Sequence, residues 1–131
     1  MYSPQLLDHF QNPRHAGDLP DATACIRLEN PVCGDIIELS AVATHDRLAD
    51  IRFRAKGCVP VMACASALCE LAHSKPVSVV REISKKDVLL AVGGVPPASD
   101  HAAQLAMDAL TALLKQLGIP NPSSQGRGWG R

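Results

Sequence analysis

The sequence predicts an α+β domain in which a three-stranded antiparallel sheet carries helices on one face. Three observations lead to it. A short segment near the start has helical spacing, three consecutive stretches between Ala24 and Lys56 alternate apolar and polar residues, and the chain from Cys58 to Leu117 returns to helical periodicity. At 131 residues the chain is long enough to bury a core without disulfide or metal staples.

Ser3 followed by Pro4 reads as a helix cap and first turn, because a serine oxygen can accept from an unpaired amide and proline has no N–H to satisfy. Leu6, Leu7 and Phe10 give that helix an apolar side before "NPRHAGDLPD" breaks it. The stretches "ACIRLEN", "DIIELSAVAT" and "LADIRFRAK" each place apolar residues on one side: Ile26/Leu28, Ile37/Leu39/Ala41 and Ile51/Phe53/Ala55. "THDRLAD" is short enough for a hairpin, and Asn30-Pro31 with Cys33-Gly34 marks the turn between the first two strands. After Gly57, "CVPVMACASALCELAH" is apolar nearly all round, which suits a buried helix with Pro60 in its first turn. "SVVREIS" and "KKDVLLAV" read as two short helices, Gly93-Gly94 stops the second, and "VPP" is extended. A last helix from about Ser99 to Leu117 carries a stripe of Leu105, Leu110, Leu113, Leu114 and Leu117, and Gly118 ends it. The expected domain is therefore 1–118, followed by a flexible Pro/Gly/Ser-rich tail, 119–131.

Thirteen Lys and Arg balance thirteen Asp and Glu, so no net charge draws the chain to nucleic acid or an anionic membrane. No apolar run reaches the ~18 residues of a membrane span, and the start lacks the basic-then-apolar order of a signal peptide. A cytoplasmic protein is expected. Five cysteines, an odd number, fit ligands or nucleophiles better than disulfides there.

Cys33 and Cys58 both sit in glycine turns, where a thiolate, a soft ligand for zinc, copper(I) or iron–sulfur clusters, can face outward with little strain. Cys58 also opens a helix, whose free amides and dipole lower a thiol's pKa, so both are expected as thiolates. The alternative for each is a small buried hydrophobe. Cys64 and Cys69 rotate to other sides of the helix and read as core, while Cys25 reads as an exposed structural thiol. On their own, Asp35 is a turn residue and His101 a helix-surface or capping histidine. His9, His15, His45 and His73 read as surface residues.

The segments "YSPQLLDHFQNPRHAG", "NPVCGD", "GC" before a small-residue helix, "VPP" and "SDHAAQLAMDAL" occur in the order and spacing of the NifU/IscU-type iron–sulfur cluster assembly scaffolds, which the chain resembles from about Met1 to Gly118. The resemblance implies a NifU/IscU-like fold and a carrier rather than an enzyme, on which a cysteine desulfurase delivers sulfur, iron or electron donor proteins supply the rest, and a transient [2Fe–2S] cluster is built and passed to recipient apoproteins. Zinc in the isolated protein is a further implication. By the match of motifs, Cys33 and Cys58 are two of three cluster cysteines, Asp35 the aspartate that keeps the cluster labile, and His101 the histidine beside the third cysteine. A hard carboxylate among soft thiolates makes the weaker ligand set that a donor needs.

The chain departs from the family where the third cysteine belongs, reading His101-Ala102-Ala103. "VPPAS" lacks the lysine of the segment bound by an Hsp70-type chaperone, which puts that partner in doubt. Three outcomes compete: four remaining donors, Cys33, Asp35, Cys58 and His101, holding a looser cluster or zinc; a paralogue that docks to the assembly machinery without cluster chemistry; or Cys64 replacing the lost thiolate if Pro60 unwinds its helix. A zinc-containing sulfur acceptor for a desulfurase is a further alternative.

Overall fold

Ser3 opens the first helix by accepting from the Leu6 amide at 2.9 Å, and its hydroxyl donates to the Val92 carbonyl, which ties the start of the chain to a distant helix end. The computed structural model describes residues 2–31 and 33–119; the sequence expectation for the tail beyond Ile119 lies outside them. Helix α1 runs Pro4–Gln11, with Leu6 buried on α2. Three strands follow, β1 Ala24–Glu29, β2 Ile36–Thr44 and β3 Arg47–Lys56, antiparallel in the order β1-β2-β3. The β2–β3 hairpin turns on His45 and Asp46, with His45 at φ 54.

Register follows the apolar alternation, pairing Ile26 with Leu39 and Leu39 with Phe53 on the face that meets the helices. The pairing slips between Val42 and Ala43, whose partners are Asp50 and Leu48, leaving Ala49 as an extra residue in a β-bulge. Alternation therefore fails there, and Leu48 and Ile51, three apart, are both fully buried.

Helix α2, Val59–Ala72, has ten buried residues, as its all-round apolar sequence requires, and packs on β3, α1 and the last helix. Short helices α3, Val77–Val80, and α4, Lys85–Ala91, follow. The "SVVREIS" helix is shorter than expected, because Ser84 leaves the helical path to form a capping box with Asp87 at the start of α4. A 3-10 turn, Pro97–Ser99, leads into α5, Asp100–Gln116, which lies across β1 and β2 with Leu110, Leu113 and Leu114 fully buried. Truncating one such leucine to alanine should cost about 2–5 kcal/mol. The fold is the expected three-stranded sheet with helices on one face, and among the described residues no helix is long and apolar enough to cross a membrane.

Candidate functional site

The β1–β2 loop presents Cys33 because its backbone is closed on itself: Asn30 N–H donates to the Asp35 carbonyl and Gly34 N–H to the Asn30 carbonyl, both at 2.7 Å. Gly34 takes φ +75 inside this loop, and Cys33 is exposed. Asp35, at the foot of the loop, turns inward and is only 5% exposed. Its carboxylate lodges against Gly57, where a Cβ would stand 2.2 Å from Asp35 Oδ1 and the backbone is at φ +149. Glycine at 57 is thus a packing requirement of the aspartate as well as a turn residue.

Cys58 caps α2 with its backbone in the extended region, and its N–H reaches Asp35 Oδ1 at 3.4 Å. His101, in the first turn of α5, brings Nε2 to 3.3 Å from Asp35 Oδ2. That spacing allows an ion pair once the ring is protonated, but no ring N–H points at Oδ2, which has neither solvent contact nor a hydrogen bond. Ligand atoms of Cys33, Asp35 and His101 all lie within 4.8 Å of one another.

Three of the four residues expected from the sequence therefore converge with ligating geometry. Cys58 stands beside them: its amide binds the shared aspartate, while its sulfur lies outside the set of three. Its thiol also departs from the thiolate expectation. Burial pushes its pKa up, and the charges of Asp35 and Cys33 add to the rise, outweighing the backbone hydrogen bond from Val61 that favours the anion. The helix start favours the anion, but here burial and the neighbouring Asp35 and Cys33 outweigh it.

Cys64 is fully buried and its thiol is pushed up to about 12 by burial. Helix α2 is intact from Val59 with Pro60 in its first turn, so the unwinding that would let Cys64 replace the missing thiolate does not occur. Cys69 is core, as expected, and Cys25 is exposed with Ser40 Oγ 3.4 Å from its sulfur. Ala102 and Ala103, at the place where the resemblance implies a third cysteine, are both fully buried.

Of the histidines expected at the surface, one is buried and two are partly covered. His9 is 5% exposed, with Nδ1 2.9 Å from Ser66 Oγ, and His15 and His73 are half-buried with their rings stacked. No local pattern marks them, since their partners come from distant parts of the chain; His45 is exposed as expected.

Residues 1–118 match the family model described as the NifU-like N terminal domain. Over 110 residues the chain is 38% identical to the iron-sulfur cluster assembly scaffold protein IscU 1 of Archaeoglobus fulgidus, covering 84% of this chain and 72% of that protein. Over 116 residues it is 34% identical to the iron-sulfur cluster assembly scaffold protein IscU of Aquifex aeolicus, covering 87% and 74%. Its fold is similar to that of FiSufU, a SUF-system protein of Fervidobacterium islandicum, with a TM-score of 0.72 at 18% identity over 86% of this chain and 96% of that one. A converging thiol, carboxylate and imidazole on a sheet-and-helix frame, together with these matches, place the chain in the NifU/IscU family.

Proposed function

We propose that the chain is an iron–sulfur cluster assembly scaffold that carries its cluster, as cargo, on Cys33, Asp35 and His101 with Cys58 beside them. The observation that carries this reading is the convergence of one soft, one hard and one borderline donor around a buried carboxylate oxygen with no hydrogen bond. A buried oxygen left in that state costs stability, which a bound cation, or a proton on His101, relieves. Naming of two relatives as scaffold proteins supports the same role and a carrier rather than an enzyme.

The cargo on this reading is a transient [2Fe–2S] cluster, as the family resemblance implies, and the donor set favours its exchange. Thiolates bind iron–sulfur clusters firmly, whereas carboxylate and imidazole ligation with few thiolates leaves the cluster exchangeable. The raised Cys58 pKa means that its proton must leave when the sulfur binds, so loading is coupled to proton release. The same donors fit zinc, which accepts sulfur, nitrogen and oxygen in a tetrahedron. Partners on this reading are a cysteine desulfurase, an iron or electron donor protein and recipient apoproteins. The buried Ala102 where a third thiolate is expected sets this chain's cluster to be looser than one held by three cysteines.

Anaerobic reconstitution with iron, sulfide and a desulfurase tests the reading. Iron and labile sulfide per chain are measured for wild type and for Cys33→Ala, Asp35→Ala, Cys58→Ala, Cys64→Ala and His101→Ala. A cluster that depends on Cys33, Asp35, Cys58 and His101 and ignores Cys64 is expected. A wild-type chain that holds neither cluster nor zinc would leave a paralogue that only docks to the machinery.

A further inference from the structure

β3 is an edge strand in the sheet order, and two loop segments cover its free side. One is held through Phe53, whose N–H donates to the His15 carbonyl at 3.0 Å and whose carbonyl accepts from Gly17 at 2.9 Å. The other is held through Leu48, which exchanges hydrogen bonds of 2.9 Å with Ser74 N–H and the Lys75 carbonyl. Asp50 lies between these anchor points, next to the bulge at Ala49. Bulges at sheet edges commonly re-aim a side chain.

The two covering segments each contain a non-glycine residue in the left-handed region, His15 at φ 63 and Ser74 at φ 61. Their conformation brings the rings of His15 and His73 together, with centroids 4.1 Å apart and planes inclined by 15°. His73 Nε2 is 3.2 Å from Asp50 Oδ1, and its other ring nitrogen, Nδ1, is 3.0 Å from Ser74 Oγ. Ligand atoms of His15, Asp50 and His73 all lie within 4.8 Å of one another.

Asp50 Oδ1 is cut off from solvent and has no hydrogen bond, because the His73 N–H does not point at it. Arg52 stands 3.4 Å from the other oxygen, Oδ2, and so leaves Oδ1 to the imidazoles. With Nδ1 engaged by Ser74 Oγ, Nε2 is the ring nitrogen left beside the carboxylate. A cation held by Nε2 and Oδ1 together would give that oxygen a partner. Burial and the neighbouring His73 also push the His15 pKa down, keeping that imidazole in the neutral form that ligates.

We propose that His15, Asp50 and His73 form a second metal site, for a borderline first-row divalent ion such as zinc or iron(II). Two imidazoles and one carboxylate are a donor set that both ions accept, with the remaining positions left to water. Metal–nitrogen bonds of ~2.1 Å hold neighbouring ligand atoms about 3–4 Å apart, which the present spacing approaches. The stacked rings must turn about their Cβ–Cγ bonds so that their in-plane lone pairs converge, and their half-buried place in loops allows this. Glu70, which acts on His15 electrostatically, adds negative charge near the site, and Arg52 adds positive charge.

This site is separate from that of Cys33, Asp35 and His101 and does not depend on the scaffold reading. Asp50 and Lys56 are six residues apart along β3, roughly 20 Å at ~3.3 Å per residue, and the first site lies beyond Lys56.

The test uses the full chain carrying Cys33→Ala and His101→Ala, which removes two of the three converging donors of the first site, titrated anaerobically with Zn2+ and separately with Fe2+. One ion per chain is expected to remain, and adding His73→Gln or His15→Gln should weaken its binding at least ~10-fold. Retention of Zn2+ alone, Fe2+ alone or both supports the site and identifies the ion. Should the variants with a further histidine substitution fail to fold by circular dichroism, the ring-proton resonances of His15 and His73 in the Cys33→Ala/His101→Ala chain decide, by shifting or broadening as metal is added. Unchanged ring resonances, or equal affinity with and without His73, would overturn the proposal.

Discussion

Gly57 has no room for a Cβ while Asp35 stays in place: the missing Cβ of Gly57 is the space that Asp35 Oδ1 occupies, 2.2 Å from where that carbon would stand. Gly57→Ala should therefore push the carboxylate off the Cys58 amide and also strain a backbone at φ +149. A loss of about 1–3 kcal/mol is expected in chemical denaturation. Adding Asp35→Ala removes the clashing oxygen, so the double variant should recover part of the loss, with a coupling of at least ~0.5 kcal/mol. Strict additivity would mean that the strain is purely backbone and that the two residues do not share the space.

Asp35 is a costly residue for a metal-free protein. Its carboxylate is 5% exposed, has one hydrogen bond of 3.4 Å, and has one oxygen with none. Asp35→Asn keeps the shape and removes the charge, so the metal-free midpoint of thermal unfolding should rise or fall by no more than roughly 4 °C, about 1 kcal/mol. Cluster or zinc retention should fall at least ~10-fold in the same variant. A metal-free loss above about 2 kcal/mol, with retention unchanged, would make Asp35 a structural keystone instead of a ligand.

The strands and long helices were legible because their periods are long enough to be unambiguous: Ile37/Leu39/Ala41 can lie on one face only as a strand, and "CVPVMACASALCELAH" can be buried all round only as a central helix. The bulge at Ala49 was not legible, since a register slip is a property of the pair β2 and β3, and neither sequence shows it alone. Cys33 and Cys58 could be singled out from their glycine turns. Only the family resemblance pointed to His101, because the convergence of a loop, a strand end and a helix start is tertiary. The thiolate expectation for Cys58 failed for a related reason: helix position is local, but desolvation and the charge of Asp35 depend on the packed structure. His9, His15 and His73 escaped notice because their burial is set by contacts with Ser66, Asp50 and each other.

The five thiols should separate into classes by access. Cys25 and Cys33 are exposed, Cys58 is half-buried with a raised pKa, and Cys64 and Cys69 are fully buried, with Cys64 pushed up to about 12 and Cys69 also raised by burial. Since the thiolate is the reactive form, a small aromatic disulfide reagent at neutral pH should label two thiols quickly and a third slowly, leaving two until denaturant is added. Zinc should protect Cys33 and leave Cys25 as reactive as before. Fast native labelling of Cys64 would show that the start of α2 opens, and would restore Cys64 as a replacement ligand.

His9 should make the fold sensitive to acid. Burial, and next the charge of Arg14, push its pKa below the ordinary value; Glu70, 3.5 Å from Nε2 but half-exposed, and Asp8 oppose this and do not prevail. Folded His9 is thus held neutral, with Nδ1 against Ser66 Oγ, while the unfolded chain protonates freely near pH ~6.5. Below that pH the unfolded state binds more protons than the folded one, so stability is complete above ~6.5 and declines as pH falls toward the lowered value in the fold. The slope of unfolding free energy against pH between about 6.5 and 5 should be positive for wild type and shallower for His9→Gln, whose amide can still bond Ser66. Carboxylates elsewhere contribute mostly at lower pH, so an unchanged slope in that window would show that His9 protonates in place, paired with Glu70.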